Sequence, residues 1–207
     1  MSRVLSAGDP SSIDETVAAL LRGEVVAIPT ETVYGLAVLP TPEGLRRLLA
    51  AKQRSPEKGI QLLIDSLEQA SAIGVVTDPA ARLAEAFWPG GLTIVLRRRD
   101  DVPLPELLGR GRATIGVRLP DHEVPRALAR RLGPIAASSA NISGEPDATT
   151  AQRVADSLGN SVVLIVDDGP ARGGTPSTVI DCSDEAVAPR ILREGAISSD
   201  RITAALR

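Results

Sequence analysis

Apolar residues recur along this chain with two alternating spacings. In "SSIDETVAALLRG" (residues 11–23), Ile13, Val17, Leu20 and Leu21 fall on one helical face. Ser12 is placed to cap that helix, Glu15 to complete a capping box and Gly23 to end it. "EVVAIPT" then predicts a buried strand running into a turn at Pro29. "TPEGLRRLLAAK" predicts a second helix with Thr41 as cap and Pro42 at its first position. Further on, "GIQLLI" predicts a strand, "SLEQASAI" a short helix, and "DPAARLAEAF" a helix capped by Asp78. "LTIVLRR" and "ATIGVRL" predict strands, and "HEVPRALARRLG" a helix that holds Pro125 in its first turn. A strand "PIAAS", a helix "TTAQRVADSLG" and a strand "VVLIVDDG" follow. Two strands, "STVIDCS" and "APRILRE", and a helix near "SDRITAALR" close the chain.

About seven strands interleaved with about six helices imply a mixed α/β (α+β) fold, with helices packed on a central sheet. Several strands are close neighbours in sequence, so the sheet is expected to be mixed rather than purely parallel. No repeat or linker interrupts the pattern, and a single domain over residues 1–207 is expected.

Composition narrows the chemistry. A net charge of −3 argues against a surface coated for non-specific nucleic-acid binding, although a local basic cleft is compatible with it. Tyr34, Phe87 and Trp88 are the only aromatic residues, too few for a base-stacking platform. One cysteine, Cys182, and one histidine, His122, exclude an internal disulfide and a Cys- or His-cluster metal site. No apolar run approaches the roughly 18 residues of a membrane span, and the first residues hold no hydrophobic signal region. A soluble, cytoplasmic protein with no membrane partner is expected.

Five segments carry more polar and turn-forming residues than a scaffold needs. "IPTETVYGLA" places Thr30 and Thr32 after a strand, where α/β ligand sites lie; the same hydroxyls would suit a turn bonded to its own backbone. "AKQRSPEK" (51–58) brings Lys52, Arg54 and Lys58 into one turn, either as an anion site or as a solvated basic loop. All 23 basic residues except Lys52 and Lys58 are arginine. Both lysines could therefore mark positions that need a compact point charge rather than a planar fork. "ATIGVRLPDH" puts Thr114, Gly116 and Arg118 on one strand face, which suits a polar cleft better than a core. "ASSANISGEPDATT" runs from a strand end through small hydroxyl and amide residues to a helix start, where Thr149 or Thr150 caps the helix and an anion would be welcome. "STVIDCS…ILREGAIS" adds Ser177 and Arg193 at strand ends. No Walker loop, dinucleotide fingerprint or nucleophile elbow is present.

With these segments in order, the chain resembles the YrdC-type threonylcarbamoyl-AMP synthase family, in its short single-domain form. "PTETVYGLA", "AKQRSPEKG", "FWPGGLTIVL", "TIGVRLPDH", "SSANISGEP", "STVIDCS" and "REGAIS" carry the resemblance from residue 29 to residue 198. It implies a twisted mixed sheet around a concave basic cavity. It also implies a nucleotidyltransferase that converts L-threonine, bicarbonate or CO2, and ATP to threonylcarbamoyl-AMP and pyrophosphate. That product feeds threonylcarbamoyladenosine modification of tRNAs through a separate transferase complex, and weak tRNA binding is left open. By the same resemblance, Lys52, Arg54 and Arg193 would hold ATP phosphates, with Thr114, Ser139, Asn141 and Thr149 nearby. Lys52, Arg54 and Lys58 form the reactive-centre signature, and Thr30, Arg118 and Ser177 would hold threonine. Mg2+ would arrive with the nucleotide, with no protein metal site.

Two positions depart from the family pattern. Leu63 stands where some relatives carry a histidine that helps hold threonine, and Gly91 replaces a common proline. A YciO-like paralogue shares the fold but lacks the segment corresponding to "SSAN", which is present here at residues 138–141. A double-stranded RNA or tRNA-binding module without chemistry is the alternative from another class, and the net charge argues against it.

Overall fold

A computed structural model describes residues 2–55, 59–108 and 113–207. Its strands are β1 (Arg3–Ser6), β2 (Val26–Ile28), β3 (Gly35–Val38), β4 (Gln61–Leu63), β5 (Gly74–Val75), β6 (Leu92–Arg98), β7 (Thr114–Arg118), β8 (Ile135–Ser139), β9 (Leu164–Asp167), β10 (Thr178–Asp181) and β11 (Arg190–Arg193). Its helices are α1 (Ser12–Leu21), α2 (Pro42–Ala51), α3 (Leu67–Ile73), α4 (Asp78–Phe87), α5 (Glu123–Leu132), α6 (Ala151–Leu158) and α7 (Ser199–Ala205).

All the strands join one sheet in the order β1-β9-β2-β3-β8-β4-β7-β6-β10-β11, with β5 paired to β6. β9 runs parallel to β1 and β2, β7 parallel to β4, and β10 parallel to β6. The remaining pairs are antiparallel. The mixed α/β class agrees with the sequence reading. The eleven strands exceed the eight segments read as strands from sequence because three short strands lack a legible period. β1 has one buried residue in four, all four of β3 are buried inside a motif-rich segment, and β5 has two residues.

Helix starts follow hydrogen bonds that sequence spacing locates only to within a residue. Thr41 and Thr150 cap α2 and α6 by accepting from the backbone N–H of Gly44 and Arg153. α4 is capped by Thr77 rather than Asp78: the Thr77 hydroxyl accepts from Ala80. Ser12 is the first residue of α1, not its cap. Ser11 holds the cap position without a side-chain cap bond, because its hydroxyl faces Asp9 and Glu15.

Strand alternation sorts the core into two layers. On one face, Ala27, Leu36, Leu62, Ile94 and Ile115 pack with α2, α3, α4, α6 and α7. On the other, Val26, Ile28, Ala37, Leu63 and Ile135 pack with Val17 and Leu20 of α1 and Val124 and Leu128 of α5. The two helices of this second layer touch each other and β2, β4, β8 and β9. Beyond β4 the same face belongs to β7, β6 and β10, none of which contributes a residue to this second layer. There the face bears Thr93, Thr114, Gly116 and Arg118 in place of core residues. No helix among the described residues is long and apolar enough to cross a membrane.

Candidate active site

This stretch of sheet forms the floor of a polar cleft. In β7, Ile115 and Val117 are buried while Thr114 and Gly116 are half-buried on the opposite face, as alternation requires. Thr93 of β6 donates to Gln61 Oε1 at 2.6 Å and lies 2.8 Å from Ser177 Oγ. Its single proton is committed to Gln61, so Ser177 is the donor of that second bond. A side chain at Gly116 would begin 3.4 Å from Thr93 Cγ2 and 3.6 Å from Gln61 Cβ, so a larger residue there would fill the floor.

The turn after β2 supplies one wall. Thr30 Oγ1 donates to the Val33 carbonyl at 2.6 Å, accepts from the Thr32 and Val33 N–H groups, and lies 2.9 Å from Thr32 Oγ1. The Thr30 hydroxyl is therefore engaged within its own turn. Thr32 Oγ1 accepts from Arg118 Nη2 at 2.9 Å. The same Nη2 donates to Glu31 Oε1 at 2.7 Å, and Arg118 Nε to the Gly90 carbonyl at 3.1 Å. A second loop braces this turn from outside, with Gly173 and Gly174 donating to the carbonyls of Glu31 and Thr32.

The opposite wall carries the other cations. Lys52 follows α2 and is 1% exposed. Its Nζ donates to the Ser139 carbonyl, to the Asn141 carbonyl at 2.8 Å and to Asn141 Oδ1 at 3.0 Å. All three ammonium donors are thus engaged at the end of β8. Asn141 Oδ1 also accepts from Ser139 Oγ at 2.6 Å, and Asn141 Nδ2 donates to the Ile142 and Glu145 carbonyls. The "SSAN" loop is therefore one hydrogen-bonded unit built around the lysine. Arg54 reaches Ser138 Oγ at 3.4 Å and the Gly59 carbonyl at 3.0 Å. Arg193, at the end of β11, donates to the Ser177 carbonyl at 2.7 Å. A Cβ at Gly195 would meet the Pro176 carbonyl at 2.2 Å, so only glycine lets this strand end lie against Ser177.

These cations influence one another. Burial, with the charge of Arg54 as second cause, pulls the Lys52 pKa down to about 8. Burial also lowers that of Arg54, with the Arg193 charge adding to it. Arg193 is lowered by burial and by Arg118, and partly restored by Asp147. Lys52, Arg54, Arg193 and Arg118 therefore stand in a row, each within electrostatic reach of the next, with Asp147 acting on Lys52 and Arg193 and Glu31 paired to Arg118. Such a row is complementary to a polyanion.

Of the residues singled out from sequence, Lys52, Arg54, Ser139 and Asn141 meet on one wall. Ser177 meets Arg193, and Arg118 meets the Thr30–Thr32 turn. Thr114 lies on the floor strand. Thr149 accepts from Ala171 N through its carbonyl, and its methyl group lies beside Gly174 of the loop that braces the Thr30–Thr32 turn. Lys58 lies outside the described residues. Glu31, Gln61 and Thr93 were not anticipated. Thr93 and Gln61 could have been flagged as polar residues facing one side of otherwise apolar strands. Glu31 carries no such mark, because its role depends on Arg118, 87 positions away. Cys182 is buried, its thiol pushed up to about 12 by that burial, as expected of a packing residue.

Comparison with known proteins agrees with this architecture. The Sua5/YciO/YrdC family, described under the heading "Telomere recombination", matches residues 18–195. The chain is 39% identical over 205 residues to the threonylcarbamoyl-AMP synthase of Bacillus subtilis, covering 98% of this chain and 58% of that protein. The Sua5 protein of Pyrococcus abyssi, solved in complex with L-threonine, superposes with a TM-score of 0.90 at 34% identity, over 99% of this chain and 60% of the other. YciO of E. coli superposes with a TM-score of 0.84 at 27% identity, over 98% of this chain and all of the other. The chain thus spans about 60% of the length of the first two relatives. With the family match running over residues 18–195 and relatives that share both sequence and fold along nearly the whole chain, the chain belongs to the Sua5/YciO/YrdC family.

Proposed function

We propose that this protein is a threonylcarbamoyl-AMP synthase. The observation that carries the proposal is the row Lys52–Arg54–Arg193–Arg118 beside the hydroxyl-lined floor of Thr93, Thr114 and Ser177. Threonine's amine combines with CO2, releasing a proton, to give a carbamate. A carbamate oxygen then attacks the α-phosphorus of ATP, and pyrophosphate leaves. Both partners are anions, so catalysis rests on charge neutralisation and alignment rather than on a nucleophilic or imidazole side chain.

In this reading Arg54 and Arg193 hold the triphosphate, with Lys52 behind the Ser139–Asn141 loop, Lys58 completing the signature, and Thr114 and Thr149 toward the nucleotide. Arg118 pairs with the threonine carboxylate, and the Thr30 turn and Ser177 shape that pocket. Mg2+ enters on the nucleotide and is held by phosphate oxygens and water. Among the described residues no group of three or more acidic, His or Cys side chains is placed to hold it. The product passes, in the cytoplasm, to the transferase that modifies tRNA.

The test is pyrophosphate release from ATP, Mg2+ and bicarbonate, with and without L-threonine, together with the mass of the nucleotide product. Threonine-dependent release and a threonylcarbamoyl-AMP mass are expected. ATP that binds but stays intact would instead favour the YciO-like alternative.

A further inference from the structure

Glu31 lies in the turn after β2, against Arg118 at the end of β7. Its carboxylate meets Arg118 through one oxygen only, Oε1, at 2.7 Å. The other oxygen, Oε2, is buried and is the one buried side-chain polar atom without a hydrogen-bond partner among the described residues. A charged oxygen stranded in this way is an incomplete arrangement. Arg118 is incomplete in the complementary sense. Its Nε and Nη2 are engaged by Gly90, Glu31 and Thr32, and Nη1 makes no hydrogen bond among the described residues. The charge of Glu31 also reaches His122, where it opposes the larger effect of burial. The Glu31–Arg118 pair thus leaves one cationic donor and one buried anionic acceptor without a partner among the described residues.

We propose that Glu31 recognises the amino nitrogen of the amino-acid substrate, while the free edge of Arg118 takes its carboxylate. This inference rests on the synthase reading and adds to it a residue that selects for the amine. An α-amino acid carries both complementary groups on adjacent atoms. The carbamate formed from it keeps one N–H, so the contact survives into the reacting species. Access needs little motion: the Glu31 side chain is 13% exposed, and the terminal carboxylate torsion of a glutamate is soft. The loop that holds the Glu31 and Thr32 carbonyls through Gly173 and Gly174 fixes the backbone, so the carboxylate turns on a fixed base.

Calorimetric titration of wild type, Glu31→Ala and Glu31→Gln with L-threonine and with 3-hydroxybutyrate, which lacks the amine, tests this. Both variants are expected to bind threonine about tenfold or more weakly, as for loss of a hydrogen bond to a charged group. Both should bind 3-hydroxybutyrate as well as wild type does, and both should keep the wild-type KM for ATP. Unchanged or tighter threonine binding in the variants would overturn the proposal and leave Glu31 as a mere counter-ion for Arg118. Equal weakening for both ligands would also overturn it, by showing a supporting role only. Wild-type protein that binds ATP but no threonine would overturn the synthase reading, and this inference with it.

Discussion

Lys52 is the residue for which position and chemistry agree most closely. An ammonium has three donors, and here three oxygens of Ser139 and Asn141 take them at a site 1% exposed. This gives the arginine-rich chain a physical reason to place lysine there: a planar fork cannot direct three bonds into so compact a pocket. Lys52→Met leaves those oxygens without their donor and should cost about 2–4 kcal/mol of stability by chemical denaturation. Lys52→Arg should fold yet lose pyrophosphate release about tenfold or more, because the "SSAN" loop is displaced. The sign of the pH effect follows from the depressed pKa of about 8. Below it the ammonium serves all three oxygens; above it the neutral amine has only two donors. kcat/KM, which reports groups of the free enzyme, should therefore fall on the alkaline side near pH 8.

At the scale of elements, α5 shows a coupling between a cap and a charge. His122 Nδ1 accepts from the Val124 N–H, which fixes the proton of the neutral ring on Nε2, 3.1 Å from Asp168 Oδ2. Protonation of Nδ1 would abolish the cap. Burial holds the His122 pKa below its ordinary 6.5, an effect that Asp168 and Glu31 only partly offset. Below pH 6.5 the unfolded chain therefore binds the proton more readily than the folded one, so this contribution to stability is intact above that value and lost as pH falls. His122→Asn retains a capping side chain without a titrating group. Its melting temperature should match wild type near neutrality and decline less steeply in acid, as thermal melts across that range would show. Sequence spacing predicted this helix and its Pro125 entry. It did not reveal the histidine cap, because the Val124 bond depends on the ring orientation set by Asp168, 46 positions away.

For the whole molecule, one sheet threads both core layers, with strands from the two ends of the chain at its edges. Cutting it anywhere would expose apolar faces on both sides. Unfolding is therefore expected as a single cooperative transition, with Trp88 fluorescence and far-UV circular dichroism giving coincident curves in urea. Separate transitions would divide the chain into independent units.

The sequence alone determined the helices and the longer strands, because an amphipathic period is local and needs only a few turns of chain to be read. It also carried the family motifs and, through them, Lys52, Arg54, Arg118, Ser177 and Arg193. Three things depended on the tertiary structure. Short strands such as β3 and β5 exist only because neighbours pair with them. The cleft lies where it does because α1 and α5 cover only part of one sheet face. The Glu31–Arg118 and Lys52–Asn141 contacts join residues nearly ninety positions apart, and side chains that distant reveal their partners only when strand order brings them within hydrogen-bonding reach.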